Sequence, residues 1–271
     1  MFKDITIGQY YPTDSIIHKL DPRTKINSTL LYIIFLFVVN NLWGYMAAFV
    51  FLAFVVTLSK VPVKYILKGL KPLVIIITLT VLLNMLWTPG NVIFQVWIIK
   101  ITDMGINNAV NMGLRLILLI SGTSIMTLTT STLDLTDGLE ADIKKVPLVK
   151  RIAHELSMMM SIALRFIPTL TEETERIMKA QKSRGADFES GNVIARAKSL
   201  IPILVPLFVS AFQRANELAM AMESRCYHGG ENRTRLKQLK YKKRDAWAYI
   251  LVFAVMAALT ATRFLPAVNL V

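Results

Sequence analysis

The feature that most constrains this chain is a set of apolar tracts that are long enough to cross a lipid bilayer. About 20 mostly apolar residues span the hydrocarbon core, and somewhat fewer suffice when the ends snorkel to the interface. The tracts cover residues 26–39, 42–58, 72–87, 109–128 and 246–262. The sequence therefore predicts an all-α, polytopic membrane protein with about five transmembrane helices.

Aromatic and polar residues mark the edges of these tracts. The tryptophans lie near tract ends, where amphipathic rings favour the headgroup region: Trp43, Trp87, Trp97 and Trp247. Only Asn40 and Asn41 separate the first two tracts, which predicts a tight helical hairpin. The N-terminus lacks the apolar core and cleavage site of a secretory signal, so we expect the first membrane segment to be retained.

Basic residues beside the tracts predict the orientation. Residues 59–71 carry four lysines and no acidic residue, whereas residues 88–105 carry one lysine and one aspartate. Because short basic loops stay in the cytoplasm, the first connection is predicted inside and the second outside. We therefore expect a cytoplasmic N-terminus and, after five spans, a C-terminus outside.

Charge and hydrophobicity are segregated along the chain. It is 54% hydrophobic yet has a formal net charge of +13, a combination that is unusual for a soluble domain. Residues 132–245 contain 20 Lys and Arg against 14 Asp and Glu. The sequence thus predicts an N-terminal membrane domain over residues 1–131, a cytoplasmic helical domain over 132–245 and a C-terminal transmembrane helix over 246–271.

The predicted cytoplasmic segment has a helical pattern throughout. Asp137 and Glu140 have capping-box spacing and predict a short helix that ends before Pro147. Longer helical patterns cover residues 148–183 and 193–224. At about 1.5 Å per residue, each long helix would measure roughly 45 to 55 Å. Two prolines are expected to kink the second of them, Pro202 and Pro206.

The two long helices end in similar tripeptides, Ser-Arg-Gly at residues 183–185 and Ser-Arg-Cys at 224–226. A single arginine at a helix C-terminus commonly complements the helix dipole, and that structural role would account for one copy. Two copies favour a paired function, because the planar guanidinium fork suits an acidic groove. The predicted docking residues are Ser183, Arg184, Gly185, Ser224, Arg225 and Cys226.

A polar stretch before the first tract has a structural explanation. Asp21 can cap the first membrane helix and Pro22 can occupy its first position. Arg23 and Lys25 are expected to meet anionic headgroups. A functional role for His18 is not required by this pattern.

Arg115 is the one ionisable residue well inside a predicted span. Such residues usually face protein or a watery cavity, and near the outer edge Arg115 could also snorkel. Two alternative functions therefore stay open. One is a polytopic membrane enzyme that uses Asp134, Asp137 and Arg115. The other is a self-contained carrier with Arg115 in its pathway, although the inverted repeats of many carriers are not visible.

Common catalytic motifs are absent from the sequence. Without a Gly-x-x-x-x-Gly-Lys-Ser/Thr phosphate loop, the chain is not expected to hydrolyse ATP. It has no His-Glu-x-x-His or Gly-x-Ser-x-Gly motif, and Cys226 with His228 is too small a group to hold a metal alone. We therefore expect no catalytic residue, metal or cofactor. The basic run over residues 233–244 is expected to bind headgroups, not nucleic acid.

The chain resembles the transmembrane T component of energy-coupling factor (ECF) transporters, the EcfT family. The resemblance covers essentially the whole chain. It rests on Gly-Gln-Tyr-Tyr-Pro-Thr-Asp-Ser at residues 8–15, His-Lys-Leu-Asp-Pro-Arg-Thr-Lys at 18–25, the order of the spans and the repeated arginine motif. In this family the motif is normally Ala-Arg-Gly. Ser183, Ser224 and Cys226 depart from it, and Cys226 puts the geometry of the second helix end in question.

The resemblance implies the scaffold and coupling subunit of an ECF-type ABC importer for vitamins or other micronutrients in the prokaryotic cell membrane. Two cytoplasmic ATPase subunits would each receive one arginine, and those partners would use ATP and Mg. A membrane-embedded, substrate-binding S component would lie against apolar faces of the long helices and be reoriented when they move. The residues expected to contact it are Met159, Ala163, Leu204 and Leu207.

Overall fold

The computed structural model describes residues 10–39, 41–96, 99–145, 150–188, 192–229 and 239–261. Almost all regular structure in these ranges is helical, which confirms the predicted fold class. The helices are α1 (Pro22–Val38), α2 (Leu42–Ser59), α3 (Val63–Leu70), α4 (Val74–Trp87), α5 (Asp103–Thr129), α6 (Thr132–Ile143), α7 (Lys150–Ser183), α8 (Val193–Ser199), α9 (Ile201–Glu223) and α10 (Lys243–Ala261). A 3₁₀ turn, Lys71–Leu73, joins α3 to α4.

Within the described ranges, five helical stretches are long and apolar enough to cross a membrane. They are Leu42–Ser59, Val63–Trp87, Asp103–Thr129, Arg196–Glu223 and Lys243–Ala261. Three of them contain whole predicted tracts, and Lys243–Ala261 contains the described part of the tract predicted over residues 246–262. The other predicted tract lies in α1, whose 17 residues are near the lower limit for a span. The stretch Arg196–Glu223 belongs to the segment that was predicted to be cytoplasmic. The chain is a multi-pass membrane protein.

Contacts divide the chain into two compact units. The membrane unit consists of residues 8–139 and 238–271, and the helical unit consists of residues 140–237. These limits differ by eight residues from the predicted domain limits at 131/132 and 245/246, which were placed at membrane edges. The predicted domain limits stay a prediction.

Packing around α5 builds the core of the membrane unit. Helices α1, α2 and α4 contact α5, and α10 contacts α1 and α2. Tyr32, Tyr45 and Leu118 are buried in this core. Gly122 on α5 lies so close to the Tyr32 ring that a Cβ atom there would collide with it. Small residues of this kind let membrane helices approach closely.

A buried carboxylate ties the starts of α1 and α10 together. Asp21 accepts the Arg23 N–H at 3.0 Å and Pro22 lies in the first turn, so the predicted cap of α1 is confirmed. Asp245 is 2% exposed. One of its oxygens accepts the Asp21 N–H and the other accepts the Lys242 N–H, both at 2.8 Å. Asp245 therefore caps α10 while it holds the start of α1.

Lys25 and His18 join this region to the end of α5. The Lys25 ammonium donates to the carbonyl oxygens of Thr129 at 2.8 Å and His18 at 3.2 Å. It is therefore bonded inside the protein and not at the membrane surface, so the predicted headgroup contact of Lys25 is wrong. His18 Nε2 donates to the Tyr11 carbonyl at 3.0 Å, and Nδ1 lies 2.7 Å from the Ser15 hydroxyl. Burial lowers the pKa of His18, which favours the neutral ring.

A β-hairpin, which the sequence analysis did not predict, lies between α4 and α5. Strand β1 (Val92–Val96) pairs antiparallel with β2 (Ile99–Thr102). The Asp103 carboxylate accepts the backbone N–H groups of Asn91 at 3.1 Å and Met104 at 2.6 Å, which closes the connection at the start of α5.

Several positions used in the sequence analysis lie outside the described residues: residues 8, 9 and 262, Asn40, Trp97, Pro147 and residues 230–238.

Helix α6 begins earlier than predicted. The Ser131 hydroxyl accepts the Asp134 N–H at 3.1 Å and lies 2.8 Å from the Asp134 carboxylate, so these two residues form the cap. Serine is a better first member of a capping box than aspartate. Asp137 and Glu140 lie inside α6, and the predicted cap at these residues is wrong. Glu140 instead pairs with Lys144 at 2.6 Å.

The second long helix is interrupted at Leu200, close to the predicted kink at Pro202. Helix α8 ends at Ser199 and α9 begins at Ile201, and Leu200 between them keeps a helical backbone with φ of −78° and ψ of −18°. Pro202 has no N–H to donate to the Lys198 carbonyl, which explains the interruption. Together α8 and α9 cover residues 193–223, which agrees with the helix predicted over residues 193–224. Helix α7 has 34 residues, and its length of about 50 Å agrees with the prediction.

Candidate functional site

The first predicted docking residue, Arg184, occupies the cap position at the end of α7. The Ala186 N–H donates to the Gln181 carbonyl and the Gly185 N–H donates to the Lys182 carbonyl, both at 3.0 Å. This is the Schellman pattern, which needs a left-handed residue immediately after the cap. Gly185 supplies it with φ of 88°. The Arg184 side chain is exposed.

The end of α9 repeats this arrangement bond for bond. The Tyr227 N–H donates to the Met222 carbonyl at 3.1 Å, and the Cys226 N–H donates to the Glu223 carbonyl at 2.9 Å. Arg225 is the exposed cap residue, and Cys226 is left-handed with φ of 56°. The cysteine therefore keeps the helix-end geometry that the sequence left in question, at a conformational cost of roughly 1–2 kcal/mol.

The neighbouring serines lie at the helix ends: Ser183 is the last residue of α7, and Ser224 directly follows α9. The Ser183 hydroxyl donates to the Lys179 carbonyl and the Ser224 hydroxyl donates to the Ala221 carbonyl, both at 3.1 Å. Both serines are exposed, and Cys226 is an exposed free thiol. At each end, the long side chain that leaves the helix is the arginine.

Helices α7 and α9 run antiparallel within the helical unit. Arg214 on α9 pairs with Glu173 on α7 at 2.9 Å. The Gln181 amide, near the end of α7, lies 3.4 Å from the Pro202 carbonyl, near the start of α9. Beyond the end of α9, the Tyr227 hydroxyl lies 2.9 Å from the sulfur of Met158, near the start of α7.

This antiparallel arrangement places the two arginines at opposite ends of the helix pair. Arg225 lies two residues before Tyr227, which contacts Met158 near the start of α7, whereas Arg184 lies at the end of α7. At about 1.5 Å per residue, the path along α7 between these points is about 40 Å. The two arginines are thus too far apart to enter one binding site, and each can bind at a separate site.

One face of α9 forms an exposed apolar stripe. Its members recur at helical spacing and are all solvent-exposed: Ile201, Leu204, Val205, Phe208, Val209 and Phe212. The rings of Phe208 and Phe212 stack with centroids 6.3 Å apart. Exposed apolar patches of this kind mark contacts with protein or membrane. The sequence analysis named only Leu204 from this stripe, although the spacing of the phenylalanines is visible in the sequence.

The residues predicted to contact an S component lie on two helices. Met159 and Ala163 are exposed on α7, and Leu204 is exposed on α9. Leu207 is half-buried and lies outside the stripe. The structure therefore brings Leu204 together with the phenylalanines, and it gives Leu207 a less accessible position.

Arg115 braces the connection between α1 and α2. Its Nε donates to the Tyr45 hydroxyl at 3.1 Å, and a terminal nitrogen donates to the Val39 carbonyl at 2.8 Å. The Tyr45 hydroxyl also donates to the Val39 carbonyl at 3.0 Å. These bonds satisfy a carbonyl at the end of α1, so Arg115 has a structural role here. Its possible transport role stays a prediction.

The acidic residues considered for an enzyme have local partners. Asp134 caps α6 through Ser131, and Asp137 lies in the interior of the same helix. Among the described residues, no group of three or more His, Cys, Asp or Glu side chains is placed to hold a metal ion.

Comparison with known proteins identifies the family. A family model described as CbiQ, cobalt transport protein, matches residues 13–236. The chain belongs to this family. It is 54% identical to the energy-coupling factor transporter transmembrane protein EcfT of Thermosediminibacter oceani over 97% of this chain and 99% of that protein. The EcfT proteins of Clostridium kluyveri and Bacillus subtilis are 56% and 45% identical, over 90% and 96% of this chain and 92% and 98% of their own lengths.

Family membership gives the chain a transport role as a membrane component of a transporter. The resemblance to EcfT proteins that was inferred from the N-terminal and arginine motifs is confirmed. The predicted docking residues themselves are not tested by these relationships and stay predictions.

Proposed function

We propose that this chain is the coupling subunit of an ECF-type ABC importer, in which it links two ATPase subunits to a substrate-binding S component. The observation that carries the proposal is the pair of matched helix ends, which present Arg184 and Arg225 at opposite ends of α7 and α9. Two exposed arginines about 40 Å apart along α7 suit two similar binding sites, one on each of a pair of similar subunits. The names of the relatives point to the same class of transporter.

Each arginine would enter an acidic groove on one ATPase subunit. The planar guanidinium group can donate several hydrogen bonds to carboxylates and carbonyls. The Schellman turn fixes the backbone position from which the arginine side chain extends. When ATP binding brings the two ATPase subunits together, the grooves that hold the arginines would move and change the angle between α7 and α9. Such coupling requires that the contacts of the arginines with the ATPase subunits differ between two conformational states. Two arginines that bind separate subunits meet this requirement.

The apolar stripe of α9 would supply the contact with the S component. That partner is membrane-embedded and needs an apolar surface, and the stripe remains exposed within the helical unit. Movement of α9 would then be transmitted to the S component, which selects and carries the vitamin or other micronutrient. ATP and Mg would be bound by the ATPase subunits and not by this chain.

The proposed orientation has the N-terminus in the cytoplasm and the C-terminus outside. It rests on the lysines between α2 and α4, Lys60, Lys64, Lys68 and Lys71, all of which are exposed. Single cysteines introduced at Lys64 and at Asn91 test it by labelling intact cells with a membrane-impermeant maleimide, in a Cys226→Ser background. Labelling at residue 91 alone is expected, and labelling at residue 64 alone would reverse the orientation.

The double variant Arg184→Glu with Arg225→Glu tests the coupling role. Reversal of both charges is expected to abolish ATP-driven uptake and to weaken copurification of the ATPase subunits at least tenfold, because loss of one charged partner in a buried pair costs about 2–5 kcal/mol. Uptake of a radiolabelled vitamin in proteoliposomes and quantitative pull-down measure the two effects.

Arg165→Glu is the matched control, because it reverses an exposed charge on α7 at a distance from its end. It is expected to leave assembly unchanged. Normal uptake and normal ATPase recovery in the double variant would rule out the proposed coupling role of the two arginines.

A further inference from the structure

An apolar cleft lies inside the membrane unit, where the starts of α1 and α10 meet the ends of α2 and α5. Its volume is about 340 Å³. Most of its wall is hydrocarbon, including Tyr32, Phe51, Val55, Ile125 and Leu251. A cleft of this size and composition accommodates an apolar ligand chain.

A second hollow, which is basic, adjoins the mouth of the cleft. This hollow has a volume of about 360 Å³ and shares Ile16, Leu58 and Arg244 with the apolar cleft. Lys19 and Lys60 also line it, and the Lys19 ammonium pairs with the Asp14 carboxylate at 3.2 Å. The charges of Lys60 and Arg244 are then in excess, which favours a negatively charged group in this hollow.

We propose that the cleft and its basic mouth form a binding site for one anionic phospholipid. The phosphate lies among Lys19, Lys60 and Arg244, and one acyl chain enters the apolar cleft. The glycerol backbone then lies between them, beside the residues that the two hollows share, Ile16, Leu58 and Arg244. Basic pockets between membrane helices recognise anionic headgroups in this way.

The combination of features favours a phospholipid over simpler ligands. A soluble phosphate would use the basic hollow but leave the apolar cleft empty. A neutral lipid would fill the apolar cleft but gain nothing from the three cations. Trp247 also lines the cleft and is 70% exposed, as suits a ring at the level of the headgroups.

Native mass spectrometry of the purified full-length chain in detergent tests the proposal. The chain is titrated with palmitoyl-oleoyl phosphatidylglycerol, with the phosphatidylcholine of the same chains, and with inorganic phosphate. One phosphatidylglycerol is expected to bind at least tenfold more tightly than phosphatidylcholine. Phosphate at millimolar concentration is expected neither to compete nor to raise the melting temperature.

Two variants separate the headgroup from the chain. Replacing Lys19, Lys60 and Arg244 by Gln is expected to weaken phosphatidylglycerol binding on the order of 100-fold, since each basic residue near the phosphate contributes. Leu251→Trp fills the apolar cleft without changing charge and is expected to reduce binding at least tenfold. The matched control replaces three exposed lysines of the same flank that do not line either hollow: Lys64, Lys68 and Lys71.

Equal binding of the two lipids would overturn the proposal, as would competition by inorganic phosphate. A loss of binding in the control as large as that in the triple variant would overturn it too. If the triple variant does not fold, the comparison of the two lipids and Leu251→Trp decides the question. Undiminished phosphatidylglycerol binding by Leu251→Trp would then exclude the apolar cleft as the site of the chain.

Discussion

At the scale of single residues, Cys226 occupies a position that favours glycine. Its φ of 56° lies in the left-handed region, as does the φ of 88° of Gly185 at the equivalent position. A side chain in this region costs roughly 1–2 kcal/mol, and the hydrogen bonds of the Schellman turn are the same at both ends. The second arginine is therefore presented by a turn that is more easily opened than the first.

Cys226→Gly is expected to stabilise the end of α9 by about 1 kcal/mol. The reason is that glycine reaches the left-handed conformation without a steric penalty. Hydrogen exchange of the amides of residues 226 and 227, measured in the purified chain, is expected to slow about fivefold.

The reverse substitution, Gly185→Cys, is the matched control at the end of α7. A Cβ atom there would meet nothing within 4 Å, so the change tests backbone conformation without a clash. Faster exchange at residues 185 and 186 is expected. Unchanged exchange in both variants would show that the left-handed residue does not limit the opening of either turn.

At the scale of helices, the close approach of α1 and α5 depends on Gly122. Any Cβ atom at this position would collide with the Tyr32 ring, which is itself held by a bond from its hydroxyl to the Leu118 carbonyl at 3.3 Å. Tyr32 lies in the buried core of the membrane unit, and Gly122 is half-buried beside it. The packing of these helices is therefore more sensitive to added volume here than at their exposed surfaces.

Gly122→Val is expected to destabilise the membrane unit by about 1–3 kcal/mol, because the helices must separate or Tyr32 must leave its rotamer. Unfolding in mixed detergent micelles measures the change. Ala53→Leu adds volume at an exposed position of α2 and is expected to have little effect. In combination with Tyr32→Leu, the cost of Gly122→Val should fall, and strict additivity of the two changes would contradict this account.

Features that depend on neighbouring residues could be predicted from the sequence. The apolar tracts, the Asp21 cap with Pro22, and the ends of α7 and α9 are local patterns, and the structure has them where they were expected. The capping residues of α6 were misassigned because Asp137 with Glu140 and Ser131 with Asp134 both have a suitable spacing. Only the contacts of the folded helix distinguish them.

Features that depend on distant contacts were not predictable in the same way. Arg184 and Arg225 lie at opposite ends because α9 folds back along α7. The ion pair between Arg214 and Glu173 shows this arrangement in the structure, but the sequence contains no signal for it. Asp245 is likewise 224 positions from Asp21 in the chain, so its contact with the start of α1 has no local signal. The two arginine motifs were visible in the sequence, but the distance between the two arginines was not.

At the scale of the whole molecule, the helical unit carries two surfaces of different chemistry. The two arginines are suited to acidic sockets, and the apolar stripe of α9 is suited to a membrane-embedded partner. A coupling subunit needs both surfaces at once, because it must hold one partner while it is moved by another. The two surfaces share α9 but use different residues, so their functions should be separable by substitution.

Phe208→Asp with Phe212→Asp is expected to remove the S component while the ATPase subunits remain bound, because the charges fall on two of the most exposed apolar side chains of the stripe, 61% and 66% exposed. Arg184→Glu with Arg225→Glu is expected to give the opposite result. Pull-down of the tagged chain from cells that express all subunits, with each partner quantified by mass spectrometry, distinguishes the two losses. Ile194→Asp changes an exposed apolar residue outside the stripe and should retain every partner. Loss of all partners in both double variants would show that the two surfaces are one cooperative interface.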